Sequence, residues 1–265
     1  MKILCLADLH IPFKKIKIQD QFFRKQIKQI CEMSKPDIIV IAGDILSHTM
    51  NPHEEVYSYF GEYCQQVICV LGNHEFYHHT FKKTLAFYAK HYDPDKFNVH
   101  YLDLVEHFDI IHNDKKYRFL GNVLFYDGSM KDTNHVIEEW GGFNKQFGRY
   151  AWADAYIREW AKDWKQASKF CQQQIIKNMS KDKDMTSILV THTVPHEKLN
   201  MHPTGSIYNT YSGVAKFLEQ HKFDYAICGH THKRSIGQVI NGCQCVNVGY
   251  NYVQDYKLEY FVLEV

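Results

Sequence analysis

Tyr225-Ala226-Ile227-Cys228-Gly229-His230-Thr231-His232 reads as a buried strand that stops at a glycine and releases two histidines. The apolar run has no polar alternation, the pattern of a strand covered on both faces. Open α/β folds collect their ligands just beyond the carboxyl ends of such strands. Four more junctions of this kind lie upstream. Ile3–Ala7 runs into Asp8-Leu9-His10, Ile38–Ala42 into Gly43-Asp44, Val67–Leu71 into Gly72-Asn73-His74-Glu75, and Ile188–Val190 into Thr191-His192. With the strands side by side, polar clusters spread from position 8 to position 232 converge on one crevice.

Working outward, β-branched runs predict strands over 2–7, 37–42, 67–71, 187–191, 225–229 and 244–248. Apolar residues at helical spacing predict helices over 20–34, 53–65, 80–91, 154–178 and 213–221. Strand-helix alternation at the start implies parallel βαβ units. Asn113-Asp114 and Asn241-Gly242 each sit between two strand-like runs and signal hairpins, 108–112 with 117–122 and 236–240 with 243–248. The expected class is therefore α/β with mixed sheets. No linker or repeat divides the chain, so residues 1–265 are read as one domain.

Composition narrows the function classes. Lys plus Arg is 31 against Asp plus Glu 30, a net charge of +1, so no whole-molecule field attracts duplex nucleic acid or an anionic membrane. No apolar run approaches the ~20 residues of a membrane span. None of the eight cysteines forms a C-x-x-C pair, and most fall in apolar segments, which suits reduced thiols in the cytoplasm. Cys243 and Cys245 have the spacing of two residues on one strand face. The excess is in histidine, 17 of 265 residues, the commonest metal ligand.

The convergent donors are Asp8, Asp44, Asn73, His10, His192, His230 and His232, with no thiolate among them. Oxygen and nitrogen donors suit Mn²⁺, Fe²⁺, Zn²⁺ or Ni²⁺ rather than a closed structural zinc site. Seven donors exceed one tetrahedral ion. Two ions about 3.5–4 Å apart, sharing a carboxylate, would use them all, generate hydroxide from a bridging water and offset charge at phosphorus. Asp-x-His and His-x-His are expected to place both side chains on one side of an extended strand end.

The pattern D-x-H, G-D, G-N-H-E, H, G-H-x-H resembles the calcineurin-like metallophosphoesterases over nearly the whole chain, most of all their small soluble bacterial-type members, in which aromatics such as Phe76-Tyr77 follow G-N-H-E. The resemblance implies two mixed β-sheets packed as a sandwich with helices outside. It implies that Asp8, His10 and His232 hold one metal, that Asn73, His192 and His230 hold the other, and that Asp44 bridges them. His74 would not bind metal but would contact the phosphate and protonate the leaving oxygen, while the bridging hydroxide attacks phosphorus. Manganese is the favoured ion. The chain lacks the phosphate-gripping arginines of the phosphoprotein phosphatases after Gly43-Asp44 and Asn73-His74. It keeps His where the lipid-A-precursor hydrolases carry Arg. The expected substrate is a small phosphodiester or phosphomonoester, with nucleotides as candidates. A nuclease for short or single-stranded substrates is the alternative, and a non-catalytic scaffold is disfavoured because no donor is missing.

Residues 126–180 are read as a substrate-facing insert. Trp140, Trp152, Trp160 and Trp164 fall in it, the last three at positions that suit one helix face. The stretch 126–150, with Gly141-Gly142, Lys131, Lys145 and Arg149, is the candidate substrate loop.

Overall fold

The computed structural model describes residues 1–11, 17–45, 60–64, 66–93, 96, 98–130, 143–144, 149–150, 154, 157, 160–200, 213–249 and 258–265. Of the predicted helix over 53–65 only 60–64 are described, helical at Phe60 and Gly61, and Lys131, Trp140, Gly141, Gly142, Lys145 and Trp152 lie outside. The side chains of Arg149, Trp160 and Trp164 are also outside, so the tryptophan face is not described.

Two mixed sheets carry the fold. The first holds β1 (Lys2–Leu6), β2 (Ile38–Ala42), β3 (Val67–Val70) and β4 (Val99–Tyr101) in parallel. The two predicted hairpins appear at the edges of the second sheet, β5 (Phe108–His112) on β6 (Lys115–Asn122) and β11 (Ser235–Ile240) on β12 (Cys243–Asn247). Between them lie β9 (Met185–Thr191) and β10 (Tyr225–Cys228), and β6, β9, β10 and β12 run mutually parallel. From the second half of the candidate substrate loop, β7 (Phe143–Asn144) and β8 (Arg149–Tyr150) form a short antiparallel ladder of their own. The far edge of the first sheet is a strand that the sequence reading did not include, β13 (Phe261–Glu264), antiparallel to β1.

Period-two alternation with both faces apolar is what stacks the layers. In β1, Ile3 and Cys5 face the other sheet with Val40 of β2 and Ile68 of β3, against Phe119, Ile188, Ile227 and Val246. Leu4 and Leu6 face outward under Ile27, Ile30 and Tyr88 from the helices Lys17–Ser34 and Phe81–His91. On the outer face of the second sheet, Leu120, Leu189, Ala226 and Cys228 are covered by Ile175, Phe217 and Leu218. Each fully buried Ile or Leu stabilises this sandwich by about 1.5–3 kcal/mol. All eight cysteines are buried and none is in a disulfide, and Cys243 and Cys245 share one strand face as their spacing implies.

Two predicted helices are shorter than their periodicity suggests. The helix expected over 154–178 is described over Trp160–Lys177 with a kink at Asp163 (φ −153°, ψ 77°), and Asp154 and Ile157 ahead of it are not α-helical. The helix expected from 213 is reduced to Phe217–Gln220, because Gly213 bridges to Val194 as extended chain. No helix among the described residues is long and apolar enough to cross a membrane.

Candidate metal centre

All five strand-end clusters meet in one place. The parallel register of β1, β2 and β3 aligns Asp8, Asp44 and Asn73 on the first sheet, and β9 and β10 bring His192 and His230 from the second. Backbone bonds lace the loops together, from Asp8 N–H to Gly43 O and from Gly229 N–H to His192 O.

The local backbone differs from the extended strand ends expected. Asp8, His10, Asp44, His230 and His232 all have φ between 43° and 70°. This left-handed region costs an L-residue roughly 1–2 kcal/mol, and Asp and His enter it more readily than most. The kink turns both side chains of each pair into the crevice. Strain of this kind at successive donor positions is tolerated only where surrounding structure holds it.

Glu75 supplies much of that holding. Its buried carboxylate accepts the N–H of Gly72 at 2.7 Å and of Ile45 at 3.0 Å, tying the third cluster to the second. Asp103, which the sequence reading did not single out, accepts Leu71 N–H at 2.7 Å and Val123 N–H at 3.1 Å, joining the ends of β3 and β6 across the two sheets.

The donors themselves lie within bonding reach of common points. His192 Nε2 is 2.7 Å from Asn73 Oδ1, 3.4 Å from an Asp44 oxygen and 3.2 Å from His230 Nδ1. His10 Nε2 is 3.3 Å from His232 Nε2 and 3.7 Å from Asp44, and His232 is 3.7 Å from Asp8. Donor atoms of Asp8, His10 and His232, and likewise of Asp8, Asp44 and His192, lie within 4.8 Å of one another. His74, expected to stand apart from the metals, forms a third such group with His10 and Asp44, its Nε2 3.8 Å from the Asp44 carboxylate. The structure thus gathers all seven expected ligands and places His74 beside them. His78 and His79 sit in the turn before Phe81–His91, with His78 exposed.

Electrostatics show what the crevice asks for. His192 Nδ1 faces the carbonyl of Ala42 at 2.9 Å, which can only accept, so that nitrogen carries a proton. Its Nε2 then confronts an amide oxygen and a carboxylate oxygen. Burial pushes this imidazole down, but Asp44 and then Asp8 hold it up at about 10. Burial pushes His10 down to about 3 and His230 well below the usual range, so both present lone pairs. Burial raises the Asp44 carboxyl, yet His192 and His74 hold it well below the carboxylate norm. Converging lone pairs and carboxylates, without thiolate, call for positive charge, and they fit divalent ions of borderline hardness. A separate cavity of about 160 Å³, lined by Phe76, Asp103, Asn122 and Phe170 among others, takes in none of these donors.

Asp154, Tyr77 and Tyr126 also touch this site, though the sequence reading gave them no role in it. The buried Asp154 carboxylate accepts from Asn73 Nδ2 at 2.7 Å, from the Tyr77 hydroxyl at 2.8 Å and from the Tyr126 hydroxyl at 2.7 Å. Tyr77 follows Asn73 by four residues within the third cluster, but no local spacing links Tyr126 or Asp154 to it, so no sequence pattern announces those two.

Comparison with known proteins agrees with this geometry. No curated protein sequence matches the chain. Among solved structures, phosphopantetheinyl hydrolase (PptH) from Mycobacterium tuberculosis is similar with a TM-score of 0.58 and 16% identity, covering 94% of this chain and 89% of that one. The protein TT1561 of Thermus thermophilus is similar with a TM-score of 0.50 and 13% identity, covering 97% and 90%. At such identities the likeness speaks to the fold. The sequence model of the calcineurin-like phosphoesterases matches residues 1–234, the span that contains every strand-end cluster described above, and the chain therefore belongs to the calcineurin-like phosphoesterase family.

Proposed function

We propose that this chain is a binuclear metal-dependent hydrolase of a small phosphodiester or phosphomonoester. The observation that carries the reading is the convergence of Asp8, His10, Asp44, Asn73, His192, His230 and His232 on one crevice, with Asp44 between the two histidine groups. Two divalent ions, one on Asp8, His10 and His232 and the other on Asn73, His192 and His230, with Asp44 shared, would neutralise phosphoryl charge and acidify water. Mn²⁺ is the ion we favour.

His74 is the proposed acid and phosphate contact. Its backbone N–H donates to Asp44 Oδ1 at 3.0 Å, and its ring lies edge-on to His10 (4.6 Å between centroids) and tilted over Tyr77 (4.7 Å). So placed, the half-buried imidazole reaches a leaving oxygen at the crevice mouth, a role worth about 10²–10⁴ in rate. Eight buried cysteines joined by no disulfide support a reducing compartment, and we place the protein in the cytoplasm.

The test is turnover of p-nitrophenyl phosphate and bis(p-nitrophenyl) phosphate with Mn²⁺, parent against Asp44→Asn. The expected result is activity on at least one ester that the variant loses. Equal rates in both proteins refute the reading.

A further inference from the structure

We infer that Asp154, 81 positions from Asn73 and outside every strand-end cluster, is a positioning residue that sets which atom of the Asn73 side chain faces the metal crevice. The inference rests on the metal-centre reading above.

The argument is one of donors and acceptors. A carboxylate only accepts, and an asparagine amide has one accepting oxygen and one donating nitrogen. Asn73 Nδ2 lies 2.7 Å from Asp154 Oδ1 and 2.8 Å from the Tyr77 hydroxyl, which itself donates to the same Asp154 oxygen. Both amide protons are thereby engaged on the side away from the crevice. Oδ1 must then point the other way, and it does, at 2.7 Å from His192 Nε2. Tyr126 donates to the second oxygen of Asp154 at 2.7 Å and keeps the carboxylate from rotating. Both Asp154 and Asn73 are buried, so no bulk water competes for these bonds.

Without this anchor the amide gains a second orientation, with its nitrogen toward the crevice, and a nitrogen carrying two protons cannot ligate a cation. Asp154→Asn makes the change at constant shape. The substituted amide can present either its oxygen or its nitrogen to Asn73, so the single orientation that a carboxylate enforces is lost. Outer partners of metal ligands are typically worth about 10–100-fold in affinity. The effect should fall on the ion held by Asn73, His192 and His230 and spare the one held by Asp8, His10 and His232.

The experiment is titration of the metal-free full chain with Mn²⁺, read by calorimetry and by electron paramagnetic resonance. The parent is expected to bind two ions and give the spectrum of a coupled pair. Asp154→Asn is expected to bind one ion as the parent does and the second about 10–100-fold more weakly, with the isolated-ion spectrum at intermediate Mn²⁺. If Asp154→Asn does not fold, Tyr126→Phe, which removes the hydroxyl that steadies the carboxylate, is expected to weaken the second ion selectively. Two ions bound with parental affinity and a coupled spectrum in the folded variant overturn the positioning role and leave the metal-centre reading standing. A parent that takes up no Mn²⁺ overturns that reading, and this inference with it.

Discussion

Substituting Gly72 by alanine tests how closely the two central loops are joined. Gly72 has φ −104° and ψ −178°, a conformation open to any residue, so glycine is required there for space alone. A Cβ built on it would lie 2.0 Å from Asp44 Oδ1, 2.4 Å from Asp44 N and 2.7 Å from Asp44 Cγ. The backbone nitrogen cannot rotate away, so the Asp44 and Asn73 loops must separate. Separation strains the two bonds from Ile45 and Gly72 to Glu75, and it breaks or lengthens the His74 N–H bond to Asp44. Overpacking costs about 1–3 kcal/mol, and a hydrogen bond to a charged group about 1.5–3 kcal/mol. Taken together at about 3–5 kcal/mol, the loss corresponds to a Tm lower by about 5–9 °C in a chain of this size. Because Asp44 is displaced, Mn²⁺ uptake should fall as well. Gly242→Ala is the control. It has φ +81° and no atom within 4 Å of the added carbon, so it should cost backbone strain only and leave Mn²⁺ uptake unchanged. Thermal unfolding monitored by circular dichroism, with metal content measured after dialysis against Mn²⁺, decides the matter. A Gly72→Ala protein within about 2 °C of the parent and with parental Mn²⁺ content refutes the argument that these loops are in contact.

His74→Asn is expected to lower kcat on p-nitrophenyl esters by about 10²–10⁴ while leaving Mn²⁺ stoichiometry intact. Loss of an ion in that variant would instead make His74 a ligand, in keeping with its position beside His10 and Asp44. Asp103 gives a pH dependence. Burial raises its carboxyl to about 7, against the pull of its bonds from Leu71 and Val123 N–H, whereas the unfolded group ionises near 4. Between those values the folded state binds the extra proton, so this group lowers stability as pH rises from about 4 to about 7. The parent should accordingly lose Tm relative to Asp103→Asn across that window. A difference between the two proteins that stays flat with pH argues against the proton-retaining state.

Strands and hairpins were legible because both-face burial and turn chemistry are local patterns. β1, β2, β9, β10 and both hairpins match the readings from apolar runs and Asn-containing turns to within one or two residues at most ends. The last strand, Phe261–Glu264, is short and half-buried, and its identity as a strand depends on β1 lying beside it. The helix readings over 154–178 and 213–221 overran because apolar spacing survives where the backbone is not helical, at Ile157 and near Gly213.

Sequence alone determined the candidate donor set. Aspartate, asparagine and histidine at five strand ends constrain the ligand chemistry whatever the detailed packing, and the order of those clusters carries the family. Tertiary structure decided how those donors are aimed. Left-handed torsions at Asp8, His10, Asp44, His230 and His232 turn them inward. Glu75 and Asp103 hold the loops that carry them. Asp154 closes on Asn73 from 81 positions away. A hydrogen bond needs atoms about 3 Å apart in space and is indifferent to separation along the chain. Which buried carboxylate steadies a ligand is therefore absent from any local pattern of residues and is resolved only when the chain has folded.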